Sequence, residues 1–79
     1  MTNNQMKSGR FLRWHEARRK IEWIVAMLEA GTMVQLTTYG HAMRYTRKHT
    51  EMFKATRSGA YVQSGYQWVC IDGCQINGV

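Results

Sequence analysis

The chain has 79 residues and a formal charge of +6, from 11 Lys and Arg against 5 Asp and Glu. A length of this order allows one domain with a small core. Hydrophobic residues at 44% and aromatics at 11% are too many for an intrinsically disordered segment. The longest apolar run, Trp23 to Leu28, is far short of the ~20 residues of a membrane span. The start of the chain lacks the apolar core of a secretory signal, so a cytoplasmic location in a host cell and no membrane partner are the expectations.

Residues 1–8 are polar and unpatterned and are expected to form a flexible N-terminus, with residues 9–79 as a single α+β domain. Ser8 is a plausible helix N-cap. From Gly9 to Ala30 the pattern is helical, because Trp14, Ala17, Ile21, Ile24, Val25 and Leu28 recur at spacings of three and four. Gly31 stands where a helix-terminating glycine belongs.

After Gly31 the period changes to two. Residues 33–39 read as a strand with Val34 and Leu36 facing inward, and Gly40 opens a turn. Residues 43–46 and 52–56 are β-prone, and Arg57-Ser58-Gly59 closes the second of these. Residues 60–63 and 66–71 flank Ser64-Gly65, a hairpin signal. Asp72-Gly73 has the composition of a type I′ turn, which would return residues 74–76 as a last short strand. The expected fold is therefore α+β, one N-terminal helix packed on an antiparallel meander of four to six short strands.

The helix carries more apolar surface than one stripe needs. At 100° per residue Trp23 projects roughly 140° from the main stripe, with Leu12, Arg19 and Met27 within ~40° of it and Lys20 flanking. Two readings are open. The strip meets a partner or a second copy of the chain as a homodimer, or the N-terminal tail or a strand edge covers it. Trp, Met and Arg are residue types enriched at binding hot spots.

A second group, Arg44, Arg47, Lys48, Lys54 and Arg57, is interleaved with Tyr39, Tyr45 and Phe53. Cations neutralise phosphates and aromatic faces on a sheet stack bases, so the group suits nucleic acid or an acidic surface. Alternation in an extended chain puts Arg44, Thr46 and Lys48 on one face and Tyr45, Arg47 and His49 on the other. The competing reading is a solvated strand edge guarded by cations, with the aromatics in the core.

Residues 61–79 hold no basic group and one acid, so they read as neutral scaffold, while the two preceding thirds carry +3 and +4. Cys70 and Cys74 would be diagonal neighbours across an Asp72-Gly73 turn, a poor geometry for a disulfide, and are expected to be small buried hydrophobes. With His41 and His49 they fit no usual zinc spacing, so no metal and no cofactor are expected. No carboxylate pair, nucleophile elbow or phosphate-binding glycine loop is present, and no catalytic residue is assigned.

The segments Val34-Gln35-Leu36-Thr37-Thr38-Tyr39, Tyr45-Thr46-Arg47-Lys48-His49, Met52-Phe53-Lys54, Tyr61-Val62-Gln63 and Trp68-Val69-Cys70-Ile71-Asp72 resemble, over residues 20–76, small proteins encoded by bacteriophages and mobile elements. That group includes anti-CRISPR proteins, stoichiometric inhibitors of a host nucleoprotein complex. The resemblance implies a non-enzymatic binder acting through surface patches on a host protein complex such as a nucleoprotein effector. The alternative is a basic nucleic-acid-binding accessory protein.

Overall fold

The computed structural model describes the backbone of residues 2–38 and 40–79, and side chains for 14–37 and 40–79. Helix α1 spans Thr2–Glu29 and is followed by β1 (Val34–Thr38), β2 (His41–Tyr45), a 3-10 turn (Arg47–Met52), β3 (Phe53–Thr56), β4 (Gly59–Ser64), β5 (Gln67–Cys70) and β6 (Gln75–Gly78). The helix bounds take in residues 2–8, which the sequence pattern left as a fraying tail. The side chains of Ser8 and Leu12, and all of Tyr39, lie outside the described residues.

The helix stops where Gly31 predicts. Gly31 has φ +87°. Its N–H donates to the Leu28 carbonyl at 3.1 Å, and the Thr32 N–H reaches back to the Met27 carbonyl at 2.9 Å. These two bonds form a Schellman motif, which satisfies carbonyls the helix would otherwise leave open.

The strands form two antiparallel three-stranded sheets, ordered β2-β1-β6 and β3-β4-β5. The expected class holds, one helix on six short antiparallel strands, but the meander is broken between β2 and β3, which lie in different sheets, and again after β5. Gly73 is not among the positive-φ glycines, so Asp72-Gly73 does not make the type I′ turn its composition suggests. Instead the Cys74 N–H donates to the Ile71 carbonyl at 3.1 Å. The chain then leaves the second sheet, and β6 pairs with β1, Leu36 opposite Ile76. The physical reason lies in the Asp72 side chain. Its Oδ1 accepts the Ala60 N–H at 2.8 Å, while the Ile71 N–H donates to the Ala60 carbonyl at 2.8 Å. With its carboxylate committed to β4, Asp72 ends β5 rather than folding it back on itself.

The core is one cluster between the helix and the two sheets. Ala17, Ile24 and Leu28 of α1 meet Val34, Leu36 and Tyr45 from the first sheet and Phe53, Ala60, Val62 and Ile71 from the second. Alternation accounts for the strand residues. In the second sheet Phe53 pairs with Val62 and Ala55 with Ala60, and these point toward the helix. Lys54 pairs with Tyr61, and both point away. The β4–β5 turn falls on Gly65-Tyr66, one residue later than expected, with Ser64 opposite Gln67 and Gly65 at φ +63°.

The other correction concerns residues 47–52. Arg47 and Lys48 do not extend β2 but sit on the 3-10 turn. The Thr46 N–H donates to His49 Nδ1 at 2.9 Å and the His49 N–H donates to the Thr46 carbonyl at 2.8 Å. This reciprocal pair behaves like a capping box, with His in the place usually taken by Glu or Gln. It turns the chain so that Tyr45 and Phe53 meet edge to face, centroids 5.1 Å apart.

Candidate binding surfaces

The residues expected on the outer side of α1 divide into free and occupied groups. Trp23 is 49% exposed, and Arg19, one turn earlier, is also exposed. Lys20 is occupied, its Nζ donating to the Asp72 carbonyl at 2.7 Å across the fold. Met27 is half-buried and packs against the core. Leu12 lies outside the described side chains. The surface that remains is narrower than expected, with Trp23 at its centre. On the neighbouring side, Arg18 pairs with Glu22 at 3.6 Å and lies 5.6 Å from the Trp14 ring centroid.

The basic group is exposed but split over three places. Arg44 lies on β2, its Nε donating to Gln35 Oε1 at 3.0 Å. Arg47 and Lys48 are on the 3-10 turn. Lys54 and Arg57 belong to the β3–β4 hairpin. Of the aromatics expected beside them, Tyr39 lies outside the described residues and the other two are not at the surface. Phe53 and Tyr45 are in the core, 7% and 8% exposed. For these two the core reading holds, because they face α1 while Lys54 faces out.

Tyr45 gives this burial a titration signature. Loss of water around the ring, and second the negative charge of the nearby Cys74 when its thiol is ionised, raise its phenol above tyrosine's ordinary value. The folded chain therefore holds that proton more tightly than the unfolded chain. Stability is complete below the ordinary value of about 10 and is lost as pH rises past it. Urea midpoints at about pH 8 and about pH 11 check this. Tyr45→Phe should show a smaller alkaline decline than wild type. An equal decline in both proteins would remove the assignment.

Sequence reading missed a different pair of rings. Trp68, in the stretch taken for neutral scaffold, is 40% exposed on the outward face of β5. The Lys54 ammonium sits 4.0 Å from its ring centroid. Tyr61 lies on the same face, between Lys54 and Cys70 in the ladder. The period-two pattern was visible in both strands. What it could not supply was the register that brings Lys54 of β3 to Trp68 of β5.

The thiols also depart from expectation. Cys70 is exposed rather than buried, with Sγ 3.5 Å from Asp72 Oδ2, while Cys74 is half-buried against the core. Both are free thiols. His49 is engaged by Thr46 and lies edge to face with Tyr45, centroids 5.6 Å apart. Among the described residues no three His, Cys, Asp or Glu side chains are grouped to hold a metal ion. No described helix is long and apolar enough to cross a membrane.

The fold and its surfaces define an α+β domain, one helix on two three-stranded antiparallel sheets, with a ring exposed on each side. Compared with known proteins, the chain matches no family model, no curated protein and no solved structure.

Proposed function

We propose that the protein is a small non-enzymatic binder, a phage-type inhibitor that docks on a host defence complex of the CRISPR–Cas kind through the outer side of α1. The observation that carries this reading is the half-exposed Trp23 beside the exposed Arg19, on a helix whose opposite stripe is already buried in its own core. About half of the Trp23 surface stays in water, and tryptophan and arginine are the residue types that most often anchor protein interfaces. The excess positive charge speeds approach to an acidic or nucleic-acid-bearing target.

Phage plating on immune bacterial strains tests the reading. Expression of the wild-type chain should restore plaques of a targeted phage in at least one strain of a panel that covers the main CRISPR–Cas types. Trp23→Ala should lose about tenfold or more of that rescue, the scale of a hot-spot truncation above ~1.4 kcal/mol, while its thermal midpoint stays within a few degrees of wild type. Absence of rescue in every strain, with folded protein present in the cells, would overturn it. A variant that loses rescue because it no longer folds would place Trp23 in the core and overturn the assignment of this face.

A further inference from the structure

We infer that the outward face of the β3–β4–β5 sheet is a second binding site, for single-stranded nucleic acid, with Trp68 and Tyr61 receiving bases and Lys54 the phosphate backbone. The inference is independent of Trp23, which lies on the helix packed against the other side of this sheet. The face is built by register. Lys54, Tyr61 and Cys70 form one cross-strand row, and Gln63 with Trp68 forms the next. Of the residues one step out of phase, Phe53, Ala60 and Val62 are buried against α1 and Val69, on the edge strand, is 43% exposed, while none of the outward residues belongs to the core cluster.

The chemistry of this face is specific. Trp68 and Tyr61 are diagonal neighbours on adjacent strands, about 7–8 Å apart, which leaves room for a separate base on each ring. The Tyr61 hydroxyl is fixed at 2.8 Å from Ser58 Oγ, which holds the ring in place. Gln63 donates to the Gly65 carbonyl at 3.3 Å through Nε2, and its amide oxygen remains to accept from a base edge. Tyr66 is fully exposed at the adjoining turn and offers a third ring. The Lys54 ammonium rests on the Trp68 ring, so a base stacking there displaces it only as far as the flanking phosphate. Arg57, exposed at the tip of the same hairpin, extends the positive field. The Asp72 carboxylate stands at the Cys70 end of the first row, which confines the phosphate path to the Lys54 and Trp68 side.

Two other ligands fit less well. Bases in a duplex are stacked on one another and cannot lie on these rings. An acidic protein surface would use the cations but leaves the exposed rings unexplained.

Fluorescence anisotropy with labelled oligo-dT and oligo-U of about 12 nucleotides, a mixed-sequence duplex and heparin as a base-free polyanion tests the site. Both single strands should bind more tightly than the duplex. Trp68→Ala should weaken single-strand binding about tenfold or more, and Trp68→Phe by less than about threefold. Lys54→Gln should reduce the slope of the log–log salt plot by about one. Trp23→Ala should bind as wild type. No binding of any single strand at low salt would overturn the inference. So would unchanged affinity in a folded Trp68→Ala variant, or heparin bound as tightly as oligo-dT with no dependence on Trp68. The last result would assign the surface to acidic partners. Because phage rescue is read separately, failure of this site leaves the Trp23 docking face standing, and the reverse also holds.

Discussion

Gly59→Ala should destabilise the domain by roughly 2–5 kcal/mol. Two costs combine. Gly59 has φ +141°, a conformation that residues with a Cβ rarely adopt. A methyl group built there would also overlap the Asp72 carboxylate, Oδ2 lying 2.0 Å from the added carbon. The carboxylate would have to move, which breaks its 2.8 Å bond from the Ala60 N–H and disturbs the loop whose carbonyl receives Lys20. Urea denaturation of wild type, Gly59→Ala, Asp72→Ala and the double variant checks both parts. The steric part should vanish when Asp72 is shortened, so the double variant should lose less than the sum of the two singles. A Gly59→Ala protein within about 0.5 kcal/mol of wild type would mean that Asp72 does not hold this position.

Ile71→Ala should cost about 2–5 kcal/mol, most of what a domain of this size has to spare. Ile71 is 2% exposed and belongs to the single core cluster. It also stands where the chain passes from one sheet to the other. Its N–H bonds to Ala60 in β4 and its carbonyl accepts the Cys74 N–H that starts the crossover toward β6. Truncation leaves a cavity between the helix and the second sheet and loosens the segment that places β6 beside β1. Ile71→Val, which removes one methylene, should cost about 0.5–1.5 kcal/mol. Thermal unfolding followed by circular dichroism, with urea midpoints, would show the order. A loss for Ile71→Ala no greater than for Ile71→Val would mean that the residue is not a core member.

Asp72 connects these predictions to the candidate surfaces. Its carboxylate holds Ala60, its carbonyl holds Lys20 on α1, and its Oδ2 lies beside the Cys70 thiol on the outward face. One residue thus ties the helix to the second sheet and marks the limit of the face that carries Trp68. Gly59 is the only residue type that leaves room for it. The dipeptide Asp72-Gly73 suggests a hairpin by composition, but the long-range partners of Asp72 determine what the turn becomes.

Features set by neighbours along the chain were legible in the sequence. The inner stripe of α1 follows from a spacing of three and four, and its end at Gly31 from the need for positive φ at a helix terminus. Most strands lie within a residue or two of their expected limits, because alternation and turn residues are local signals. The position of Trp23 outside the core stripe was legible for the same reason, since angular placement on a helix needs only the sequence and 100° per residue.

Features that depend on partners far along the chain were decided only in the tertiary structure. Alternation groups Lys54 apart from Phe53 and Trp68 apart from Val69, but it does not say which group faces the helix or which strands adjoin. Burial of Phe53, exposure of Trp68 and the meeting of Lys54 with Trp68 follow from the register of β3, β4 and β5 under α1, while Tyr45, on the other sheet, is buried edge to face against Phe53. The capture of Lys20 by the Asp72 carbonyl, 52 residues away, removed one of the cations expected to be free. Length and a charge of +6 set a small basic domain, and the change of hydrophobic period at Gly31 made it α+β. Where that charge stands beside an exposed ring is a property of strand pairing, because contacts between distant residues require the closed fold and leave no periodic trace in the chain.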